Sequence, residues 1–258
     1  MSASGRPAAL VTGAAGGLGG AIATALASAD FDLVLADREV GEALENRRDV
    51  CATLGADVCL LANDLTSDAD RPGFVDAAFA AFGHLDCLVN NAGVSVLSRG
   101  DILDVSPKSF DRCIAVNLRA QFFLTQQVAK RMIAAKAETR RSIITVTTVA
   151  VDHHVGKVLA EYAIAKAGLS HSLQHWAVRL ECEGIDCYEV RPGMMKTDMT
   201  ATTRDKYDGL IASGFVPAGR WGETAEVAKA VAVLAGGGLS YATGQTIHVD
   251  GGMRFKVF

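Results

Sequence analysis

Short apolar runs alternate along the chain with longer segments in which apolar residues recur at helical spacing. Several short runs are almost continuously apolar or β-branched, which is typical of parallel strands covered on both faces. The predicted strands are Ala8–Thr12, Asp32–Ala36, Asp57–Leu61, Cys87–Asn90, Ser142–Thr147, Asp186–Val190 and Thr246–Val249. The predicted helices are Gly17–Ala29, Val40–Leu54, Asp68–Phe82, Ser106–Ala135, Glu161–Glu183 and Thr224–Leu234.

This alternation predicts an α/β protein: a single Rossmann-fold domain over residues 1–258, with a doubly wound parallel sheet of about seven strands and helices on both faces. Two irregular stretches, Val149–Leu159 and Met194–Gly222, follow the carboxyl ends of late strands, where such folds bind ligands. The second is long enough for a short lid over about residues 194–222. Ser106 and Thr224 are candidate helix caps.

Composition and charge exclude several classes of protein. Lys and Arg number 25 against 29 Asp and Glu, so the net charge is −4, which argues against a nucleic-acid partner. The six cysteines form no CxxC pair and no zinc-type cluster, so we expect free thiols, no metal site and a reducing cytoplasmic location. The uncharged run from Pro7 to Ala29 is broken by five glycines between Gly13 and Gly20, so we expect no membrane span.

A glycine-rich turn, T-G-A-A-G-G-L-G over residues 12–19, follows the first predicted strand and opens a helix. Glycines let the backbone approach a pyrophosphate, and the helix N-terminus presents free N–H groups. The second strand leads into Asp37 and Arg38, about 20 residues further on, where a carboxylate binds both adenosine ribose hydroxyls and repels a 2′-phosphate. Asp37 therefore favours NAD over NADP, although the Arg38 guanidinium is able to hold a phosphate.

Tyr162 and Lys166 lie four residues apart on a predicted helix, so their side chains share one face. A phenol titrates at about 10 and needs a nearby positive charge to act as a base near neutral pH. The lysine cation and an oxidised nicotinamide both favour the phenolate. The pair therefore predicts a site for acid–base catalysis.

Further motifs stand in a fixed order around this pair. N-N-A-G over residues 90–93 follows the fourth strand, Asn117 lies in the long helical segment, and R-P-G over residues 191–193 follows the sixth strand. Together with TGAAGGLG and YAIAK, they make the chain resemble the short-chain dehydrogenase/reductase family of ordinary length, from Ala8 to Gly252. The resemblance implies hydride transfer between a nicotinamide and a carbinol or carbonyl carbon.

The resemblance also implies roles for single residues. Tyr162 would be the acid/base, Lys166 would bind the nicotinamide ribose and lower the tyrosine pKa, and Asn117 would hold a water of a proton relay. Asp64 and Leu65 would flank the adenine. The implied cofactor-binding residues are Gly13, Gly17, Leu18, Gly19, Asp37, Arg38, Asp64, Leu65, Asn91, Gly93, Tyr162, Lys166, Pro192, Gly193 and Thr197.

One position departs from the family pattern. The family usually has a serine after the fifth strand that binds the substrate oxygen, whereas here the segment is T-V-T-T-V over residues 145–149. Thr148 matches best and lies 14 residues before Tyr162, one more than is usual; Thr147 is the alternative. A threonine hydroxyl makes the same hydrogen bonds as serine, but its methyl group crowds the site.

Polar residues in the irregular segments bear on the substrate. His153, His154 and Lys157, with Arg99 and Lys196, predict a polyhydroxylated or anionic substrate, although solvated loop charges give the same pattern. We therefore expect an NAD-dependent oxidoreductase that interconverts a secondary alcohol and a ketone on a sugar, sugar acid or polyol.

Two other functions stay open, and the quaternary structure follows only from the resemblance. One is a 3-oxoacyl-carrier-protein reductase, since the chain also resembles members so labelled. The other is a non-catalytic nucleotide-binding regulator, which the missing serine would allow. The resemblance implies a homotetramer or dimer built on the fifth and sixth helices.

Overall fold

The computed structural model describes residues 5–135, 140–153 and 158–255. Within these ranges seven parallel strands form one sheet in the order β3-β2-β1-β4-β5-β6-β7. The strands are β1 Ala8–Thr12, β2 Asp32–Asp37, β3 Val58–Ala62, β4 Cys87–Asn90, β5 Arg141–Val146, β6 Ile185–Pro192 and β7 Thr246–Val249. The order matches the doubly wound fold predicted from the sequence, with strand boundaries shifted by at most two residues at either end.

Helices connect successive strands from β1 to β7. They are α1 Gly17–Ser28, α2 Glu42–Thr53, α3 Arg71–Phe82, α4 Pro107–Ile114, α5 Gln121–Ala135, α6 Ala160–Leu180, α7 Arg204–Ala212 and α8 Thr224–Ala235. Ser106 caps α4 as predicted, because its hydroxyl accepts a hydrogen bond of 3.2 Å from the Ser109 amide. Thr224 is not a cap; Glu223 precedes α8 and forms a capping box with Glu226.

Two helical segments differ from the prediction. The long helix predicted over residues 106–135 contains a π-helical segment, Ala115–Ala120, between α4 and α5. The irregular stretch 194–222 contains α7, in which only Tyr207 and Ile211 are buried. So few buried positions give a weak apolar pattern, which explains why the helix was not predicted.

The sheet separates two apolar cores. Successive residues of a strand point to opposite faces, so Val11 joins one core and Leu10 the other. On the first face α1, α2 and α8 cover the sheet, and on the second face α3, α5 and α6 do. Every residue of β1, β4, β5 and β6 is buried, as expected of central strands covered on both sides.

The topology fixes where a ligand binds. β1 has β2 and β4 as its neighbours, and from this point the connections run outward in both directions. Such a switch point leaves a crevice at the carboxyl ends of the strands.

No described helix is long and apolar enough to cross a bilayer. All six cysteines are free thiols, and Cys51, Cys87, Cys113 and Cys187 are buried.

Candidate active site

A cleft of about 770 Å³ opens at the carboxyl ends of the strands. Its walls come from the glycine turn, the ends of β2 and β3, the loops after β4, β5 and β6, and the first turns of α6. Apart from Asn117, His153 and Lys196, the described residues that the sequence analysis assigned to the site all line it. One crevice therefore brings the glycine, acidic and tyrosine motifs together.

The glycine turn fits a dinucleotide phosphate. Gly13 has φ +68°, and a Cβ there would lie 2.8 Å from the Cα of Ala92. A Cβ at Gly19 would overlap the Gly13 carbonyl oxygen, so both positions require glycine. A Cβ at Gly17 would meet only open space, and no side chain caps the first turn of α1. The first turn of α1 therefore lines the cleft with no side chain over it, which leaves room for an anion at its N–H groups.

Asn91 supports the glycine turn from the neighbouring strand. Its Nδ2 donates to the carbonyl oxygens of Thr12 and Gly13, at 2.9 and 3.2 Å. Its backbone N–H donates to the Thr12 hydroxyl at 3.1 Å, and that hydroxyl donates to the Val89 carbonyl. These bonds join β1 to β4 at the point where the cleft begins.

Asp37 and Asp64 lie at the end of the cleft beyond the glycine turn. Asp37 Oδ2 accepts from the Ala15 N–H at 3.1 Å, and its Oδ1 accepts from the Arg38 N–H at 2.8 Å. Asp64 accepts two hydrogen bonds from Thr66, which lower its pKa together with the charge of Arg38. Arg38 is exposed and close enough to affect Asp64 electrostatically. Two carboxylates therefore face the predicted adenosine side.

The two candidate threonines point in different directions. Thr148 lines the cleft and hydrogen-bonds to Tyr162, which counteracts part of the rise in the phenol pKa. The Thr147 hydroxyl instead donates to Oε1 of the buried Glu189. Only Thr148 therefore presents its hydroxyl beside the tyrosine.

Tyr162 and Lys166 have shifted pKa values because Lys166 is buried and Tyr162 is partly buried at the cleft wall. Burial raises the pKa of Tyr162 to about 12, and the Thr148 hydrogen bond opposes this rise. Burial lowers the pKa of Lys166 to about 8, and the charge of Glu189 opposes this fall. Lys166 Nζ donates to the Val146 carbonyl at 2.8 Å. In the chain without cofactor the phenol is therefore held in its protonated form.

Asn117 lies in the π-helical segment and is fully buried. Its side chain pairs with the backbone of Val94: Oδ1 accepts from N–H at 2.8 Å, and Nδ2 donates to the carbonyl at 2.9 Å. A Cβ on Gly93 would lie 3.1 Å from Asn117 Oδ1 and 3.7 Å from Lys166 Nζ. Asn117 therefore stands behind Gly93, next to the lysine, although it does not line the cleft.

The loop after β6 closes the remaining side of the cleft. The Gly193 N–H donates to the Val249 carbonyl at 2.9 Å, and a Cβ on Gly193 would lie 2.7 Å from the Cα of Asp250. Glycine is required there because the loop packs directly against the chain after β7. Pro192, Gly193 and Thr197 all line the cleft.

Comparison with known proteins agrees with this arrangement. The family model described as Enoyl-(Acyl carrier protein) reductase matches residues 13–254. The chain is 36% identical over 248 residues to the 3-oxoacyl-[acyl-carrier-protein] reductase FabG of Salmonella typhimurium, covering 95% of this chain and 96% of the relative. It is 33% identical to the 2-dehydro-3-deoxy-D-gluconate 5-dehydrogenase of Escherichia coli, covering 95% and 94%.

A solved structure is similar over almost the whole chain. The 3-oxoacyl-[acyl-carrier protein] reductase of Brucella melitensis, crystallised in complex with NAD, is 44% identical with a TM-score of 0.93, covering 98% of this chain and 99% of that one. The chain belongs to the short-chain dehydrogenase/reductase family. It is therefore an oxidoreductase that acts on alcohol and keto groups with a nicotinamide cofactor.

In this short-chain dehydrogenase/reductase a buried ionic network lies behind the threonine and lysine. Glu189 accepts hydrogen bonds from Thr147, Ser170 and Thr246, and it forms a salt bridge of 2.7 Å with Arg191. Arg191 also pairs with Asp152. Ser170 lies one turn after Lys166 on α6, so the network joins β5, α6, β6 and β7. The sequence analysis missed Glu189, because nothing in its local pattern shows these distant partners.

Other predicted substrate residues do not face the cleft of this family member. The His153 ring lies between two backbone carbonyls, those of Val149 at 3.3 Å and Arg254 at 3.2 Å, and it does not line the cleft. Lys196 is exposed and also outside the lining. His154 and Lys157 lie outside the described residues. Of the predicted basic residues, Arg99 does line the cleft.

Proposed function

We propose that the chain is an NAD-dependent oxidoreductase that interconverts a secondary alcohol and a ketone on a small polar substrate: a sugar, a sugar acid or a polyol. The observation that supports this best is the meeting of Thr148, Tyr162 and Lys166 in one cleft with the glycine turn and Asp37. Bound NAD supplies the group that accepts or donates the hydride.

Tyr162 is the proposed proton-transfer group, and Thr148 the proposed ligand of the substrate oxygen. Oxidation of an alcohol requires Tyr162 to take the hydroxyl proton, so its pKa must fall from about 12 on assembly of the site. A protonated Lys166 and the positive charge of the oxidised cofactor both act in this direction. Asn117, held behind Gly93, is the proposed support for a water that carries the proton onward.

NAD is the proposed cofactor because of the charge of Asp37. Its carboxylate lies in the cleft beside the glycine turn, where it would accept hydrogen bonds from ribose hydroxyls and repel a 2′-phosphate. Exposed Arg38 also lines the cleft, where its charge acts on Asp64, and it is proposed to lie along the adenine. Gly13, Gly17, Leu18, Gly19, Leu65, Asn91, Gly93, Pro192, Gly193 and Thr197 complete the proposed cofactor contacts.

Cofactor preference tests this part of the proposal. We expect kcat/KM with NAD to exceed that with NADP at least about 10-fold in the wild type. Asp37→Ala should remove most of this preference, since it removes both the hydrogen bonds to ribose and the repulsion of phosphate. Asp57→Ala is the matched control, because Asp57 precedes β3 and so lies at the amino ends of the strands, away from the cleft at their carboxyl ends. A wild-type preference for NADP would contradict the assignment.

A reductase of 3-oxoacyl thioesters is the second candidate function. The names of the relatives favour it, including that of the solved structure at 44% identity. A panel of sugars, sugar acids, polyols and 3-oxoacyl thioesters, followed by nicotinamide absorbance, distinguishes the two. Turnover of the thioesters alone, with NADPH, would replace the first proposal and make Arg38 the phosphate ligand. Tight NAD binding with no turnover of any compound would favour a non-catalytic regulator.

Two properties of the whole protein complete the proposal. We infer a homotetramer or dimer, because α6 exposes Ile164 and Val178, which are 50% and 84% exposed in the single chain. A monomer by light scattering would contradict this. Free thiols favour a reducing compartment, which supports a cytoplasmic location.

A further inference from the structure

Two arginines line the active-site cleft without an acidic partner. Arg99 lies in the loop after β4 and Arg112 on α4, and both are partly buried. Within the described part of the chain, neither forms a salt bridge, and the hydrogen bond of Arg112 is to the Ser95 carbonyl at 2.8 Å. A guanidinium that is partly buried and lacks a counter-ion is costly, and a ligand carboxylate is a good partner for it.

Arg112 lies at the reacting end of the cleft. The Ser95 carbonyl that it binds also lies 4.0 Å from the Sγ of Cys113, and Cys113 is close enough to Tyr162 to affect its pKa electrostatically. Asn117 binds the backbone of Val94, one residue before Ser95. The loop that bears Arg99 therefore runs past the tyrosine and the lysine.

The loop is also fixed in place. The Leu97 N–H donates to the Ser109 hydroxyl at 3.1 Å, and that hydroxyl donates at 2.6 Å to Glu161, the residue before Tyr162. Glu161 is buried and does not line the cleft. These bonds tie α4, which carries Arg112, and the loop that carries Arg99 to the residue before Tyr162.

The acidic side chains of the cleft, with Arg38 between them in the lining, are confined to one side. Among the described lining residues, the acidic ones, Asp37 and Asp64, lie on the side of β2 and β3. Arg99 and Arg112 lie beyond Gly93, on the side of the tyrosine. The cofactor phosphates belong at the glycine turn, so they do not account for this second positive region.

We propose that Arg99 and Arg112 form an anion subsite that binds a carboxylate of the substrate, which makes the substrate a hydroxy or keto acid. This inference rests on the proposed function and selects the acids within it. A neutral polyol would leave both guanidinium groups without a partner. In an acyl thioester the reacting ketone lies next to an uncharged thioester group, so that substrate would not use them either.

Matched pairs of substrates test the subsite. D-gluconate is compared with D-glucitol, and 3-hydroxybutanoate with 1,3-butanediol, each with NAD and with NADP. We expect the wild type to prefer the acid of at least one pair about 10-fold or more in kcat/KM. Arg99→Gln and Arg112→Gln should each lower kcat/KM for the acid about 10- to 100-fold, mainly through KM, and leave the neutral partner within about two-fold. Arg99→Lys and Arg112→Lys should recover part of the loss.

Controls separate binding from folding. Arg48→Gln removes a partly exposed arginine on α2 that forms its salt bridge with the adjacent Asp49, far from the cleft lining, so it should change the kinetics of neither substrate of a pair. Arg112→Lys retains a donor for the Ser95 carbonyl, so a comparison with this variant shows whether the loss in Arg112→Gln comes from misfolding. Equal losses on acid and neutral alcohol would show a structural role and overturn the subsite, as would a wild-type preference for the neutral compounds.

A binding measurement keeps the subsite separate from the reaction. Gluconate, 3-hydroxybutanoate and malonate are titrated into the protein with NADH bound, and nicotinamide fluorescence is followed. If the wild type binds an acid and Arg112→Gln does not, the subsite is supported even when the wild type turns over no compound. In that case the proposed function is contradicted and the subsite is not. Absence of binding by all three acids overturns the subsite.

Discussion

The Thr148 hydroxyl lies beside Tyr162 and is proposed to take the role of the serine that the family usually has there. We predict that Thr148→Ala lowers kcat about 100-fold, because it removes a hydrogen bond at the reacting oxygen. The Kd for NADH should hardly change, since the side chain contributes nothing to the glycine turn. Steady-state kinetics and a fluorescence titration with NADH measure the two effects.

Two variants serve as controls for that prediction. Thr148→Ser should keep at least about a third of the wild-type turnover, since it keeps the hydroxyl. Thr147→Ala removes a bond to Glu189 and should lower thermal stability more than turnover. Unchanged turnover in Thr148→Ala would contradict the assignment.

Lys166 offers a pH-dependent test of burial. Its pKa is about 8 in the folded chain against an ordinary 10.5, so between these values the unfolded chain binds more protons. The free energy of unfolding therefore rises with pH across this window, by at most about 3 kcal/mol for this group. We predict that the wild type gains this stability relative to Lys166→Met between about pH 8 and 10.5.

Urea denaturation of both proteins across that range checks the sign. The difference between the two removes the contributions of the other titrating groups. A difference that stays flat, or that falls as the pH rises, would show that the lysine is not desolvated in the folded chain. Measurement with saturating NAD should shift the window, because the cofactor is proposed to bind this amine.

The sequence predicted the residues of the site much better than their surroundings. The glycines, Asp37, Tyr162 and Lys166 stand in local motifs whose spacing has a physical meaning, and the structure brings them to one cleft. Arg112 and Glu189 were missed, because the first lies in an ordinary helix turn and the second in a strand. Their importance arises from partners far away in the chain, which a local pattern does not show.

At the scale of elements, strands were predicted more accurately than helix interiors. The seven strands are short and strongly apolar, so their boundaries follow from composition. The π-helical segment Ala115–Ala120 has no comparable signal; it contains Asn117, whose side chain pairs with the distant backbone of Val94. A mid-helix π segment is often found at functional sites, which agrees with the place of Asn117 next to Lys166.

The salt bridge between Glu189 and Arg191 joins several of these elements. We predict that Glu189→Gln lowers the free energy of unfolding by about 3 kcal/mol or more, because it removes the buried carboxylate of the pair and leaves the buried Arg191 guanidinium with the partly exposed Asp152 as its acidic partner. Loss of the negative charge should also lower the pKa of Lys166 further. As the pH rises, the lysine of the variant should therefore lose its proton earlier, and the activity of the variant should decline at a lower pH than that of the wild type.

An exposed ion pair provides the comparison. Asp76 pairs with Arg131, with both side chains largely in solvent, so Asp76→Asn should leave stability and the pH profile almost unchanged. If Glu189→Gln were as mild as Asp76→Asn, the network would have no positioning role. Chemical denaturation and a pH–rate profile give both readouts.

At the scale of the whole molecule, the cysteines report on packing. Burial raises the pKa of the Cys87 and Cys187 thiols to about 12, and the thiols of Cys51, Cys59 and Cys113 are also shifted upward. Cys182 is exposed at the end of α6. We predict that Ellman's reagent titrates one thiol rapidly in the native protein and all six in urea. Cys182→Ser should abolish the rapid phase; several rapid thiols would contradict the packing described.

All seven strands run in the same direction, and this determines how the protein is best attached to a solid support. Arg6 precedes β1, and its side chain binds the carbonyls of Asp30 and Gly55, at the edge of the sheet opposite the cleft. Arg254, in contrast, contacts His153 in the loop after β5. An electrode or bead coupled ahead of Arg6 would leave the cleft turned toward the solution, whereas coupling after Phe255 would bring the surface close to that loop.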